Sequence, residues 1–153
     1  MRLSETHGIV YVLKPGDHAA GVDGDSFKMV NFAHATFILQ TATLTDNAVL
    51  TVKSGATAGA KTTSETFYYR LASADQAAAS ADVYAAETEA TTLTLTAATY
   101  DNRTLILEVN ASELTTDQEW LTLNISSDAS AFNASCIAIL SGPRYAEGAT
   151  AIA

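Results

Sequence analysis

Two short segments, each apolar at every second residue, constrain this chain more than any other feature. Thr104–Val109 reads T-L-I-L-E-V, with Leu105, Leu107 and Val109 on one side and Thr104, Ile106 and Glu108 on the other. Trp120–Ser126 reads W-L-T-L-N-I-S, with Leu121, Leu123 and Ile125 opposed by Trp120, Thr122 and Asn124. Successive side chains of a strand point to opposite faces, so a period of two specifies strand. The polar stretch between them, Asn110–Gln118, has Leu114 as its single large apolar residue and is shaped to join two strands. The pair therefore reads as a core hairpin, with a short helical turn pinned by Leu114. With an unbroken register Trp120 stands off the core face; a bulge near Glu119 would turn it inward.

The same alternation recurs along the chain. Strands are expected at Ile9–Leu13, Ser26–Phe32 (Phe27 and Met29 together), His34–Thr41 (Ala35, Phe37 and Leu39 together) and Ala48–Lys53 (Leu50 and Val52 inward). Further strands are expected at Thr66–Leu71, Thr91–Thr96 and Ser135–Leu140, the last with Ile137 and Ile139 on one face. Lys14-Pro15-Gly16-Asp17, Leu44-Thr45-Asp46-Asn47 and Gly142-Pro143 are stop or turn signals. His18–Asp25 and Ser54–Thr63 read as exposed loops. Ala72–Ala90 is alanine-rich but has no 3.6-residue apolar stripe, so it reads as a loop with one short strand near Asp82–Ala86. One helical turn is expected within Ala97–Asn102.

Regular short strands without alternating helices give an all-β chain: an antiparallel β-sandwich of about eight strands, jelly-roll-like. An immunoglobulin-like sandwich is the rival, without its Cys–Trp–Cys signature. The 153 residues fit a single domain, 1–153, with a flexible N-terminal arm over about 1–8 and a C-terminal tail over about 144–153. The one cysteine, Cys136, lies in an apolar run and reads as a buried thiol. The fold must then be held by packing alone.

Charge narrows the partners. A net charge of -9, with eight basic residues scattered from Arg2 to Arg144, argues against nucleic acid, which needs clustered Lys and Arg. No apolar run reaches the roughly 20 residues of a membrane-spanning helix. The first residues lack the pattern of a signal peptide, so synthesis in a cytoplasm is expected.

The sequence contains no motif of a hydrolase triad, a metalloprotease, a phosphate loop or a dinucleotide fold. His7, His18 and His34 read as ordinary surface or strand-end residues. Asp17, Asp23 and Asp25 crowd one loop with the oxygen ligands that calcium takes, yet Asp-Gly turn chemistry explains them equally well. Glu87 with Glu89, and Glu113 with Asp117 and Glu119, read as a solvated acidic rim. No catalytic residue, cofactor or metal is expected. The candidate site is instead a protein interface. Tyr68, Arg70 and Trp120 stand off the core faces of their strands, Tyr145 anchors the tail, and Arg2 and Leu3 lie in the arm.

The segments His34–Thr41, Phe67–Ala72, Thr96–Val109, Gln118–Ser126 and Ala138–Ala146 resemble small β-sandwich proteins of tailed bacteriophages, the capsid decoration (cement) proteins and related minor virion components. That resemblance implies a structural, non-enzymatic protein, often a homotrimer. It would sit on the capsid exterior of the virion and bridge copies of the major capsid protein. A carbohydrate-binding module with Trp120 and Tyr68 as a stacking platform, and a tail or baseplate component, are the alternatives.

Overall fold

The computed structural model describes residues 3–127 and 130–143. A helical turn α1 (Leu3–Thr6) leads into β1 (Gly8–Asp17), β2 (Val22–Asp23), β3 (Phe27–Lys28), β4 (Phe32–Leu44), β5 (Ala48–Gly55), β6 (Thr63–Glu65) and β7 (Phe67–Leu71). There follow β8 (Thr88–Ala90), β9 (Leu93–Leu95), α2 (Ala97–Tyr100), β10 (Thr104–Asn110), a 3-10 turn (Ala111–Glu113), β11 (Trp120–Ser127) and β12 (Phe132–Pro143). Residues 3–8 of the expected arm are thus a helical turn and the start of a strand. The expected tail lies outside the described residues.

The strands form two antiparallel sheets. The front sheet runs β1-β12-β4-β10-β7-β8; the back sheet runs β2-β11-β5-β6, with β3 also on β11 and β9 also on β5. From β1 to β5 the chain alternates front, back, front, back, and from β10 to β12 it alternates again. That is the jelly-roll path, and the all-β sandwich expected from the sequence is the fold observed. The β7–β8 hairpin lengthens the front sheet beyond β10. Thr66 alone separates β6 in the back sheet from β7 in the front, so one continuous stretch of chain changes sheets there.

Alternation explains the core. Leu105, Leu107 and Val109 of β10 and Ala35, Phe37 and Leu39 of β4 are buried, as are Leu121, Leu123 and Ile125 of β11 and Leu50 and Val52 of β5. The two inner rows meet between the sheets, where Phe27 from the back touches Phe37 from the front at 5.6 Å between ring centres. The expected hairpin does not form. β10 pairs with β4 and β7, and β11 with β2, β3 and β5, so the two signature segments face each other across the core from opposite sheets. The polar connection, long enough to cross the end of the sandwich, carries the chain over. Leu114 packs against the core as expected.

Several boundaries move. Lys14-Pro15-Gly16-Asp17 does not end β1; the strand continues, with register shifts between Tyr11 and Leu13 and between Leu13 and Gly16. An edge strand tolerates proline there because no ladder hydrogen bond is required on its open side. His18 is buried rather than exposed, with Nε2 3.0 Å from the Lys14 carbonyl oxygen and its main-chain N–H donating to Phe132 at 2.7 Å. In β12 the inward row is Ala134, Cys136, Ala138 and Leu140, and burial pushes the Cys136 thiol pKa up. Ile137 and Ile139 face outward.

Ser54 and Gly55 are buried rather than loop residues. Ser54 Oγ donates to Glu65 Oε1, the same oxygen accepts the Thr115 N–H at 3.0 Å, and the Gln118 side-chain amide lies 2.8 Å from Ser54. This buried clasp fixes the β10–β11 connection to the back sheet. Among the described residues no helix is long and apolar enough to cross a membrane.

Candidate functional site

The outer face of the front sheet is built by the residues that alternation points away from the core. Register places them in rows. One row runs Ile9, Ile139, Thr36, Glu108, Tyr68, Glu89, and the next runs Tyr11, Ile137, Ile38, Ile106, Arg70. Directly opposed side chains on neighbouring strands sit about 5 Å apart, close enough to form continuous surface. Ile9, Tyr11, Ile137, Ile139, Ile38 and Ile106 therefore make one apolar block across β1, β12, β4 and β10, about 14 Å wide at the usual strand spacing. Ser141, His34 and Asn110 lie in register along one side of it. Ser135, Gln40 and Thr104 lie along the other. An apolar centre with a polar rim is the anatomy of a protein-binding surface.

Exposure is graded across the block. Tyr11 is 73% exposed and Ile9 47%, while Ile38, Ile106, Ile137 and Ile139 are half-buried by their neighbours. Towards β7 and β8 the face turns charged. Arg70 lies 3.6 Å from Glu87, and His34 holds Asn110 at 2.8 Å with Glu108 3.7 Å away. The Tyr68 phenol pKa is raised, first by Glu113 and then by Glu89, desolvation and Glu87. Of the acidic residues read from sequence as a rim, Glu87, Glu89 and Glu113 gather around Tyr68, while Glu119 pairs with Lys28 of the back sheet at 3.1 Å.

The back sheet's outer face is finished differently. Thr51 Oγ1 donates to Asn124 Oδ1 at 3.2 Å, and Asn124 Nδ2 donates to Asp23 Oδ1 at 2.7 Å. Asp23 also pairs with Lys61, whose hydrogen bond is the largest cause of a lowered Asp23 pKa. The connection 56–62 is a strap. Gly59 N–H donates to Ser26 Oγ at 3.0 Å and Thr62 N–H to the Ser54 carbonyl at 2.8 Å. Ala60 lies so close over Gly55 that a Cβ there would come within 2.4 Å of it.

The sequence-derived candidates are separated by this arrangement. Trp120 keeps the regular register, opposite Gly55 and Lys28, so no bulge turns it inward; it is half-buried on the outer side of the back sheet. Tyr68 and Arg70 lie on the outer side of the front sheet. Leu3 is exposed in α1, and Arg2 and Tyr145 lie outside the described residues. Sequence reasoning missed the isoleucine rows. Their signal was present: β4, β10 and β12 carry apolar residues on both faces.

Other chemical groups are committed to structure. Asp17 Oδ1 accepts the main-chain N–H groups of Ala19 and Phe132 at 3.0 and 2.9 Å. The Tyr100 phenol is pushed up to about 12 by burial, with Tyr69 adding to it. A groove of about 180 Å³ lies between Met29, Val30, Ala111, Leu114 and the 115–119 stretch. It is below the roughly 300–1,000 Å³ of small-molecule sites. The chain matches no protein-family model, no curated protein and no solved structure.

Proposed function

We propose that this chain is a non-enzymatic structural protein of the capsid-decoration class, which binds the outside of a phage head and bridges major capsid subunits. The observation that carries the reading is the uncharged, outward-facing block of Ile9, Tyr11, Ile38, Ile106, Ile137 and Ile139. A block this continuous is disfavoured on a surface that only meets water. The strand segments that resemble decoration proteins support the virion setting. The mechanism is adhesive: burying the block against neighbouring capsomers adds a free-energy term opposing disassembly.

A stacking platform shared by Tyr68 and Trp120 is not favoured, because the two lie on the outer faces of opposite sheets. Purified protein mixed with undecorated heads should occupy repeated lattice sites, visible by electron microscopy and saturable by co-sedimentation. Labelling confined to tails would move the protein to a tail or baseplate role. Absence from purified virions would end the virion reading.

A further inference from the structure

The first half of β1 is an open edge. Gly8–Tyr11 pairs with Leu140–Ile137 of β12 on one side, and β1 is the outermost strand of the front sheet. Among the described residues no main-chain hydrogen bond reaches Gly8–Tyr11 from the other side. The second half of β1 is guarded. Asp25 N–H donates to the Val12 carbonyl at 2.9 Å, the His18 ring engages the Lys14 carbonyl, two register shifts bend the strand, and Pro15 removes a donor. These are the devices by which edge strands avoid pairing with another chain. The open half has none of them. It reads G-I-V-Y, without charge or proline, and it carries Ile9 and Tyr11, the two most exposed side chains of the apolar block.

We propose that Gly8–Tyr11 pairs antiparallel with the same segment of a second copy of this chain, forming a two-fold dimer with one sheet continuous across both. Charge does not bar a second copy at this edge in spite of the net -9, because Gly8–Tyr11 itself carries none. The carboxylates of the front face, Glu87, Glu89 and Glu108, sit on or beside β7, β8 and β10, three or more strands inward from β1. That is about 14 Å at the usual spacing, beyond the ~8 Å screening length at physiological salt.

A strand paired antiparallel with its own copy requires a two-fold axis perpendicular to the sheet. This edge therefore builds a dimer and not the trimer implied by the family resemblance. Such an axis keeps both outer faces on the same side, and with Val10 opposite Val10 the Tyr11–Ile137–Ile38–Ile106 row of each copy meets the Ile9–Ile139 row of the other. Under the decoration reading, and resting on it, the dimer is bivalent and gains avidity for a repeated lattice. The pairing itself stands without that reading.

Sedimentation equilibrium of the full chain tests it, with Ile9→Lys/Tyr11→Lys as the edge variant and Val83→Lys, at an exposed apolar residue in the 73–87 loop, as control. The wild type and V83K should be dimers, and the edge variant should dissociate at least about tenfold more readily. Hydrogen exchange of the wild type needs no variant: amide protection in 8–11 should rise with protein concentration. A wild-type monomer, a trimer, a dimer indifferent to the edge variant, or 8–11 amides equally protected at every dilution would each overturn the proposal. Head binding and association, both measured on the wild type, separate the two readings, since Ile9 and Tyr11 belong to both surfaces. Heads bound by a monomeric wild type leave the decoration role standing, and a dimer that ignores heads leaves the pairing standing.

Discussion

On the back sheet, Thr51, Asn124 and Asp23 stand side by side across three strands, hydrogen-bonded to one another and closed off by Lys61 from the strap. On the front sheet the corresponding position is a row of Tyr11, Ile137, Ile38 and Ile106, with no strap among the described residues. Both faces use strands of one jelly roll and alternate in the same way. The back face pairs Thr51, Asn124, Asp23 and Lys61 with one another, and Thr122 Oγ1 is its buried hydroxyl without a partner among the described residues. The front face leaves apolar area without cover. In a sandwich whose core is already filled from both sheets, an apolar outer row is not needed for folding, and under the proposed function its use lies between molecules.

The comparison can be broken at several levels. The largest effect should come from the core that both sheets share. Phe37→Ala, at a fully buried ring against Phe27, should cost about 3–5 kcal/mol in denaturant unfolding. Next is the strap. Gly55→Ala sets a methyl against the Ala60 main chain, so the strap must lift, at a cost of about 1–3 kcal/mol. Trp120 is paired with Gly55, and its emission should shift to the red as its cover moves. If Trp120 fluorescence stays unchanged, the strap does not shield the back face.

A matched pair of substitutions sharpens the contrast. Asn124→Ala breaks the polar ladder and should cost about 1 kcal/mol without altering association. Ile38→Thr keeps strand propensity on the front face and should change stability by about 0.5 kcal/mol or less, while weakening head binding. The smallest effect is in acid. Lys61 lowers the Asp23 pKa below its usual 3.8 in the folded chain. That contribution is present above the unfolded value and is lost as pH falls through the lower folded one. Lys61→Met should therefore flatten the fall in Tm below about pH 4. The effect is small because both side chains are substantially exposed.

Much of the fold was legible because period-two patterning depends on local geometry alone. The inward rows of β4, β5, β10 and β11 are those the sequence specifies. Which strands pair is not local. The β10–β11 connection resembles a hairpin loop, and nothing in its composition says that Glu65 and Ser54 will clasp its far end to the back sheet. β12 shows a second limit. Its buried row is small (Ala134, Cys136, Ala138) and its outward, half-buried row holds Ile137 and Ile139, so hydrophobicity alone favours the opposite orientation. For that reason the tyrosine and tryptophan off the core faces stood out in sequence, and the isoleucine block did not. His18 was illegible for a similar reason, since its burial depends on β1 continuing past Pro15 to bring Lys14 beneath its ring.

The central claim is that the front sheet's outer face is adhesive and the back sheet's is not. Quantitative co-sedimentation with undecorated heads tests it most directly, comparing Ile38→Lys/Ile137→Lys on the front face with Asn124→Lys on the back, each first shown to be folded by circular dichroism. The account predicts that the front-face variant loses saturable binding while the back-face variant binds as wild type does. Binding that survives the front-face charges, or is lost only with the back-face one, would contradict it.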